Sequence, residues 1–221
     1  PAPAALATAA PGTFSLAVIP DTQQEVFGGD TRFANRTQWL VDNRAALNLA
    51  FVLHTGDLIN HNLKDLPDGI QLLQKMRGRR GVYSCNGNHD LIENGGLFER
   101  DTKRAGINML FDESRILDIN GQKLQILATR WPGRGEGEIQ NSVKTILPQV
   151  RSDAFPILLA HHPHSFDTAA DAGIPLTLSG HTHGGQIGFG PSLSVGALMY
   201  RYVSGVHRRK DNALVVSTGV G

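Results

Sequence analysis

Asp21, Asp57, Asn88, His89, Asp90, His161, His181 and His183 are scattered through a chain of 221 residues, yet each follows closely on a short apolar run. Asp21 follows "FSLAVI", and Asp57 sits in "TGD" after "AFVLH". "NGNHD" follows "GVYSC", "HHPH" follows "PILLA" and "GHTHGG" follows "PLTLS". Carboxylates, an amide and imidazoles are the mixed oxygen and nitrogen donors that suit first-row transition metals such as Mn, Fe, Co, Ni or Zn better than a pure Mg site. His181 and His183 are two residues apart, so in extended backbone they face one side, and the flanking glycines let other groups approach closely. Singly, each piece has a plainer reading: a Gly-Asp pair makes a turn and a lone Asp caps a helix. Five strand ends in succession carrying Asp, Asn or His do not.

The positioning elements follow from the same runs. Phe14–Ile19, Ala50–His54, Gly81–Cys85, Pro156–Ala160 and Pro175–Ser179 have the length and the β-branched or aromatic content of buried strands. Between them, "RFANRTQWLVDNRAALN" places Phe33, Leu40 and Leu47 at sevenfold spacing, while "GIQLLQKM" and "SFDTAADAG" read as shorter helices. Alternating strands and helices imply parallel pairing in an α/β fold, whose ligands gather at the carboxyl ends of the strands. "RILDI" and "KLQILAT" about an Asn-Gly turn predict an antiparallel hairpin within Arg115–Thr129. "ALVVSTGVG" predicts a last strand and turn, with continuation past Gly221 expected. The Gly-rich patch Trp131–Glu138 lacks the spacing of a phosphate-binding loop and reads as a surface loop.

Composition narrows the function classes. With 40% hydrophobic residues, one domain over residues 13–221 is expected. The net charge is +1 from 21 basic and 20 acidic residues, which gives no strong drive toward nucleic acid or an anionic membrane, and so argues against a nuclease. The short basic clusters "RGRR" and "HRRK" read as solvated turns. The single cysteine, Cys85, excludes an internal disulfide and reads as a buried thiol. No apolar run approaches the ~20 residues of a membrane span. Residues 1–12, small, uncharged and rich in Pro and Ala, read as a disordered or signal-peptide-proximal segment, so the expected location is periplasmic or secreted, with cytoplasmic as the alternative.

Asp57, "GNHD", "H-x-P" and "GHTH" together resemble the signature of the calcineurin-like metallophosphoesterase superfamily, over about Phe14 to Gly221. "GHTHGGQIGFG" and "YVSGVHRRKDNALVVSTGVG" look most like its exported bacterial members, whereas "VIPDTQ" and "TQWLVDNRAALNLAFVLHTGD" look like another subgroup. The resemblance implies a four-layer α/β/β/α sandwich with two mixed β-sheets. It also implies a dinuclear centre of two divalent or trivalent transition-metal ions, Mn, Fe or Zn. Asp21 and His183 would hold the first ion, Asn88, His161 and His181 the second, and Asp57 both. His161 is the histidine two before the proline of "AHHPH", and His162 is the weaker alternative. His89 would act on the phosphoryl group, with Asp90 fixing its orientation. The family has Asp-x-His where this chain has Asp21-Thr22-Gln23, so Gln23 stands in the place of a ligand. Its amide oxygen is a harder donor than imidazole, which implies a weaker first site tilted toward Mn or Fe over Zn.

The implied activity is metal-dependent hydrolysis of a phosphate ester, a diester slightly favoured, by in-line attack of a bridging hydroxide on a small-molecule or lipid substrate. The alternative is a metal-binding or partner-binding scaffold on the same fold. Its one support in the sequence is Gln23, and His89 and Asp90 argue against it.

Overall fold

The computed structural model describes residues 9–26, 30–76, 78–185 and 200–219. Arg77, Gln186–Gly190 of the glycine-rich motif, and the two final residues lie outside the described residues, as do residues 1–8 of the expected leader. Residues 9–12 are fastened to the fold, with Ala9 N donating to Ala46 O at 3.2 Å.

Among the described residues ten strands form two sheets. β1 (Ser15–Ile19), β2 (Leu49–His54), β3 (Val82–Ser84) and β4 (Asn108–Met109) pair in that order, all parallel. The second sheet runs β5 (Glu113–Ile119), β6 (Gln122–Ala128), β7 (Phe155–Leu159), β8 (Leu176–Ser179), β10 (Asn212–Val216) and β9 (Gly205–Arg209). Its middle strands are parallel, while β5 and β9 are antiparallel at the two edges. Mixing of strand direction is therefore confined to this sheet. The first sheet contains no hairpin, because each of its strands is joined to the next through a helix.

Alternation along the strands sorts side chains into layers. Leu16, Val18, Phe51 and Leu53 of one sheet meet Leu124, Ile126, Ala128, Ile157, Leu159 and Leu178 of the other, in an apolar layer that joins the two. The opposite faces bury Ala17, Leu49 and Val52 beneath helices on one side, and Leu127, Leu158 and Ala160 on the other. Helices α2 (Arg32–Asn43), α3 (Leu66–Lys75) and α4 (Gly95–Arg104) cover the first sheet. Helices α5 (Glu136–Ile146) and α6 (Ser165–Asp171) cover the second, which completes the α/β/β/α sandwich. Phe33, Thr37 and Leu40 form the buried face of α2 at the spacing a helix requires. Asn94 caps α4, its side chain accepting from Leu97 N at 3.0 Å.

Several elements differ from the sequence reading. "HRRK" is an edge strand, β9, and its turn; its charged residues leave an edge that resists further pairing. The patch Trp131–Glu138 is a loop only as far as Gly135, where the Glu138 carboxylate accepts from Gly135 N at 2.9 Å and starts α5. The short helix α1 (Gln23–Val26), which no sequence signal marks, begins two residues after Asp21, with Glu25 N and Val26 N donating to Thr22 O, so Gln23 opens a helix.

Strand register brings the chemistry together. Ile19 lies opposite His54, His54 opposite Ser84, Ala128 opposite Leu159, and Leu159 opposite Leu178. The segments after β1, β2, β3, β6, β7 and β8 thus leave along matched carboxyl edges.

Candidate metal centre

Asp21, Asp57 and His161 are buried, and each offers a ligand atom within 4.8 Å of the others'. His161 Nε2 lies 3.2 Å from Asp57 Oδ2, outside hydrogen-bonding geometry, and its Nδ1 is fixed by Thr55 O at 2.8 Å. Holding one ring nitrogen on a carbonyl leaves the other directed into the cluster, the arrangement that orients metal-binding histidines. His181 Nδ1 comes within 3.3 Å of His161 Nε2, and His181 Nε2 within 3.2 Å of Tyr200 Oη. His183 Nε2 lies 3.6 Å from Asp21 Oδ2 and 3.2 Å from Gln23 Nε2. Asp21 thus adjoins His183, which adjoins Gln23, while His161 adjoins His181 and Asp57 and offers a ligand atom within 4.8 Å of those of Asp21 and Asp57. Asn88 stands in the turn after β3, where the next backbone N–H, that of His89, donates to Asp57 Oδ1 at 2.9 Å.

Three oxygens test whether these residues fit metal ions. Asp57 Oδ2, Asn88 Oδ1 and Gln23 Oε1 are buried without a hydrogen-bond partner. A buried acceptor left unpaired costs about 1–3 kcal/mol, and a cation satisfies all three. Asn88 occupies a capping position yet makes no side-chain cap, which leaves its oxygen free. Asp57, His181 and His183 all have positive φ (52°, 74° and 48°), a conformation uncommon for non-glycine residues that Asn48, Asp112, Asn120 and Lys210 also hold in this chain. At Gly87 an added Cβ would collide with Asp57 Oδ1, and at Gly180 with Asp21 Oδ1. Both candidate carboxylates lie where only glycine leaves room.

Burial and mutual interaction shift the titratable groups of the cluster. Burial, with Asp57 adding repulsion, pushes Asp21 up to about 7. Burial disfavours a charged His161, but Asp57 and Asp21 outweigh it and raise that ring to about 10. Asp57 stays below the usual carboxylate range, because its burial is outweighed by the adjacent His161. Burial lowers His181 and His183, which keeps both imidazoles neutral and available as donors.

The partners of His89 and Asp90 differ from the sequence reading. His89 Nδ1 is held by Asn60, at 2.7 Å from its backbone oxygen and 3.1 Å from Oδ1. Asp90, buried and raised to about 8 chiefly by that burial, turns away and accepts from Ile59 N at 3.0 Å and Gly87 N at 2.9 Å. It fastens the turn after β2 to the turn after β3, so its role is to hold ligand loops in place. Asp90→Ala strands two buried N–H groups and is expected to cost about 1–3 kcal/mol for each, measured as a lower urea midpoint with unchanged slope. An unshifted midpoint would remove this role.

The other imidazoles sort out plainly. His162 is buried and lowered to about 3, first by burial and then by His164 and His161; its Nδ1 accepts from His164 N at 3.2 Å. It stacks behind the ligands and stands outside the carboxylate cluster. His54 is fully buried between Thr22 Oγ1 and Ser84 Oγ, both at 3.0 Å, and is structural. His61 is exposed. Cys85 is buried, and burial pushes its thiol up.

Trp131 and Tyr200 are additions that the motifs did not reveal. The Trp131 ring packs at 4.8 Å on His181, 5.4 Å on His161 and 5.7 Å on His162, its N–H backbone tied to Asn86 Oδ1 at 3.1 Å. It follows the carboxyl end of β6, so the strand-end rule, extended to the second strand of the hairpin, would have found it. Tyr200 stands edge-on to His181, and its neighbours Arg201 and Tyr202 bind the Asp167 carboxylate on α6 at 2.9 and 2.8 Å. No pattern in the sequence marks Tyr200.

The sequence model of calcineurin-like phosphoesterases matches residues 14–185. The chain is 30% identical over 209 residues to a transmembrane protein with metallophosphoesterase domain from Danio rerio, covering 87% of this chain and 46% of the relative. It is 28% identical over 150 residues to the phosphodiesterase YaeI of Escherichia coli, covering 63% of this chain and 51% of the relative. Among solved structures, the Haemophilus influenzae NAD nucleotidase is similar with a TM-score of 0.59 at 16% identity, over 92% of this chain and 44% of that one, a likeness of fold. The chain spans about half the length of these relatives.

Proposed function

The chain belongs to the calcineurin-like phosphoesterase family, and from that premise we propose that it hydrolyses phosphate esters, diesters in preference to monoesters, at a two-metal centre. The observation that carries this reading is the set of buried, unpartnered oxygens, Asp57 Oδ2, Asn88 Oδ1 and Gln23 Oε1, set among carboxylates and neutral imidazoles. Asp21, Gln23 and His183 would hold one ion, Asn88, His161 and His181 the other, and Asp57 would serve both. Such a pair supplies Lewis acidity toward the phosphoryl oxygens and a hydroxide nucleophile at neutral pH.

The chain's own residues do the rest. Asp57 is aimed by the His89 N–H on Oδ1, which leaves Oδ2 for the centre. Asn60 accepts from Nδ1–H of His89 and fixes the ring, so that in its imidazolium form Nε2–H would donate to a non-bridging oxygen or protonate the leaving group. Trp131 covers the outer side of the ligand imidazoles and limits water there. The diester preference rests on the ligand and acid groups including no arginine to clamp a dianionic terminal phosphate, and agrees with the name of the E. coli relative.

The test is turnover of bis(p-nitrophenyl) phosphate and p-nitrophenyl phosphate by the purified chain, with Mn, Fe, Zn or no added metal. Expected are faster diester turnover, loss on chelation, and better restoration by Mn or Fe than by Zn, since Gln23 offers a hard amide oxygen where an imidazole would favour Zn. No turnover with any metal would leave the scaffold reading.

A further inference from the structure

The His181 ring packs against Trp131 at 4.8 Å and His162 at 4.9 Å. Ring contacts of this kind restrict the plane of an imidazole but not its sense. A half-turn about the Cβ–Cγ bond keeps the plane and exchanges both nitrogens for carbons, so a polar partner has to select between the two. Tyr200 Oη is such a partner, 3.2 Å from His181 Nε2, with its own ring edge-on to the imidazole at 5.5 Å. The residues after Tyr200 are tied down. Arg201 N donates to His164 Nε2 at 3.2 Å, the Arg201 guanidinium and Tyr202 Oη reach the Asp167 carboxylate at 2.9 and 2.8 Å, and Val203 O accepts from Thr182 Oγ1. The phenol is therefore presented to His181 from an anchored segment.

His161 donates Nδ1–H to Thr55 O at 2.8 Å, so in its neutral form Nε2 carries the lone pair. His181 Nδ1 lies 3.3 Å from that nitrogen. Two imidazole nitrogens bound at ~2.1 Å to one tetrahedral ion stand about 3.4 Å apart, so the observed spacing suits two lone pairs directed at a single cation. The one proton of a neutral His181 then belongs on Nε2, facing the phenol oxygen. We propose that Tyr200 is a positioning residue of the centre: its Oη accepts from His181 Nε2–H and thereby makes Nδ1 the ligand atom. A hydrogen bond of this kind both orients a ligand imidazole and strengthens it as a donor. The inference rests on the two-metal reading and deepens it, by naming the nitrogen that binds and the residue that selects it.

The test is Zn binding, measured by competition with a chromophoric chelator, together with NMR of the histidine ring nitrogens in the Zn-loaded chain. Tyr200→Phe keeps the edge-on ring and deletes only the hydroxyl. It is expected to raise one of the two Zn dissociation constants about 10- to 100-fold, the usual cost of losing such a partner, and to move the other less than about threefold. Tyr200→Leu, which removes the ring as well, should weaken binding by no more than about threefold beyond that. In the unaltered chain the NMR signals should place metal on Nδ1 of His181 and a proton on Nε2, and in Tyr200→Phe that proton should exchange faster with water. Metal on Nε2 overturns the inference. So does Tyr200→Phe binding as tightly as the unaltered chain while Tyr200→Leu binds weakly, since that marks a packing role, and so do two constants that rise together or stay unchanged. An unaltered chain that binds no Zn overturns the two-metal reading itself, a result distinct from each of these.

Discussion

His89→Ala is expected to keep its full metal content while turnover of a phosphate ester falls by roughly 10² to 10⁴, the usual worth of a positioned general acid. The separation follows from which atoms do what. The His89 backbone N–H holds Asp57 Oδ1 at 2.9 Å, and alanine keeps that bond, so the carboxylate proposed to serve both ions stays aimed. Among the described residues no hydrogen bond or ion pair joins the imidazole to Asp21, Asp57 or His161; its Nδ1 is engaged by Asn60. Metal content by elemental analysis and kcat on an aryl diester, measured on one preparation, decide the matter. Unchanged kcat at unchanged metal content would remove His89 from the chemistry, and lost metal would make it a structural support.

What the sequence made legible was set by chemistry that repeats. Strands β1, β2, β3, β7 and β8 were readable because a strand buried on both faces must be apolar along its whole length, and each ends in polar groups that a buried turn does not tolerate without a purpose. The hairpin β5–β6 was readable from Asn120-Gly121, whose positive φ values match the turn that this pair favours. Helix α5 was hidden because its cap is Glu138 acting on a glycine, so the start looks like a flexible loop. Strand β9 was hidden because an exposed edge strand carries the charges of a turn. At the site, ligand types were legible while the supporting partners were not. Asn60, Asn86, Tyr200 and Trp131 act through contacts set by tertiary packing, and no spacing encodes such contacts. The error over Asp90 has the same origin. Adjacency to His89 in the chain suggested a partnership, but the short helical turn that begins there directs the two side chains apart, one to Asn60 and the other to the N–H groups of Ile59 and Gly87.

Asp57→Asn is expected to abolish turnover and to remove the stabilisation that metal gives, while leaving a folded chain. Asparagine keeps an oxygen in place to accept from His89 N, so the turn after β2 retains its anchor. What disappears is the negative charge. Two divalent ions about 4 Å apart repel by roughly 16 kcal/mol at an effective dielectric of 20, four times the unit-charge value, and Asp57 is the carboxylate placed to offset this for both. Asp21 does not replace it: its Oδ1 and Oδ2 are turned toward Thr55 and His181 N, and its carboxyl is already pushed up to about 7, first by burial. For the unaltered chain, metal at about 100 times its dissociation constant adds about 2.7 kcal/mol, which for a domain of this size raises Tm by about 5 to 10 °C. Asp57→Asn should show almost no metal-dependent rise, with circular dichroism and metal-free Tm close to those of the unaltered chain. Comparing the metal-induced increments, rather than the melting temperatures themselves, separates loss of the bridge from damage to the fold. A full increment in the variant would mean that the two ions are held without Asp57, and that the unpartnered oxygen at its tip serves some other group.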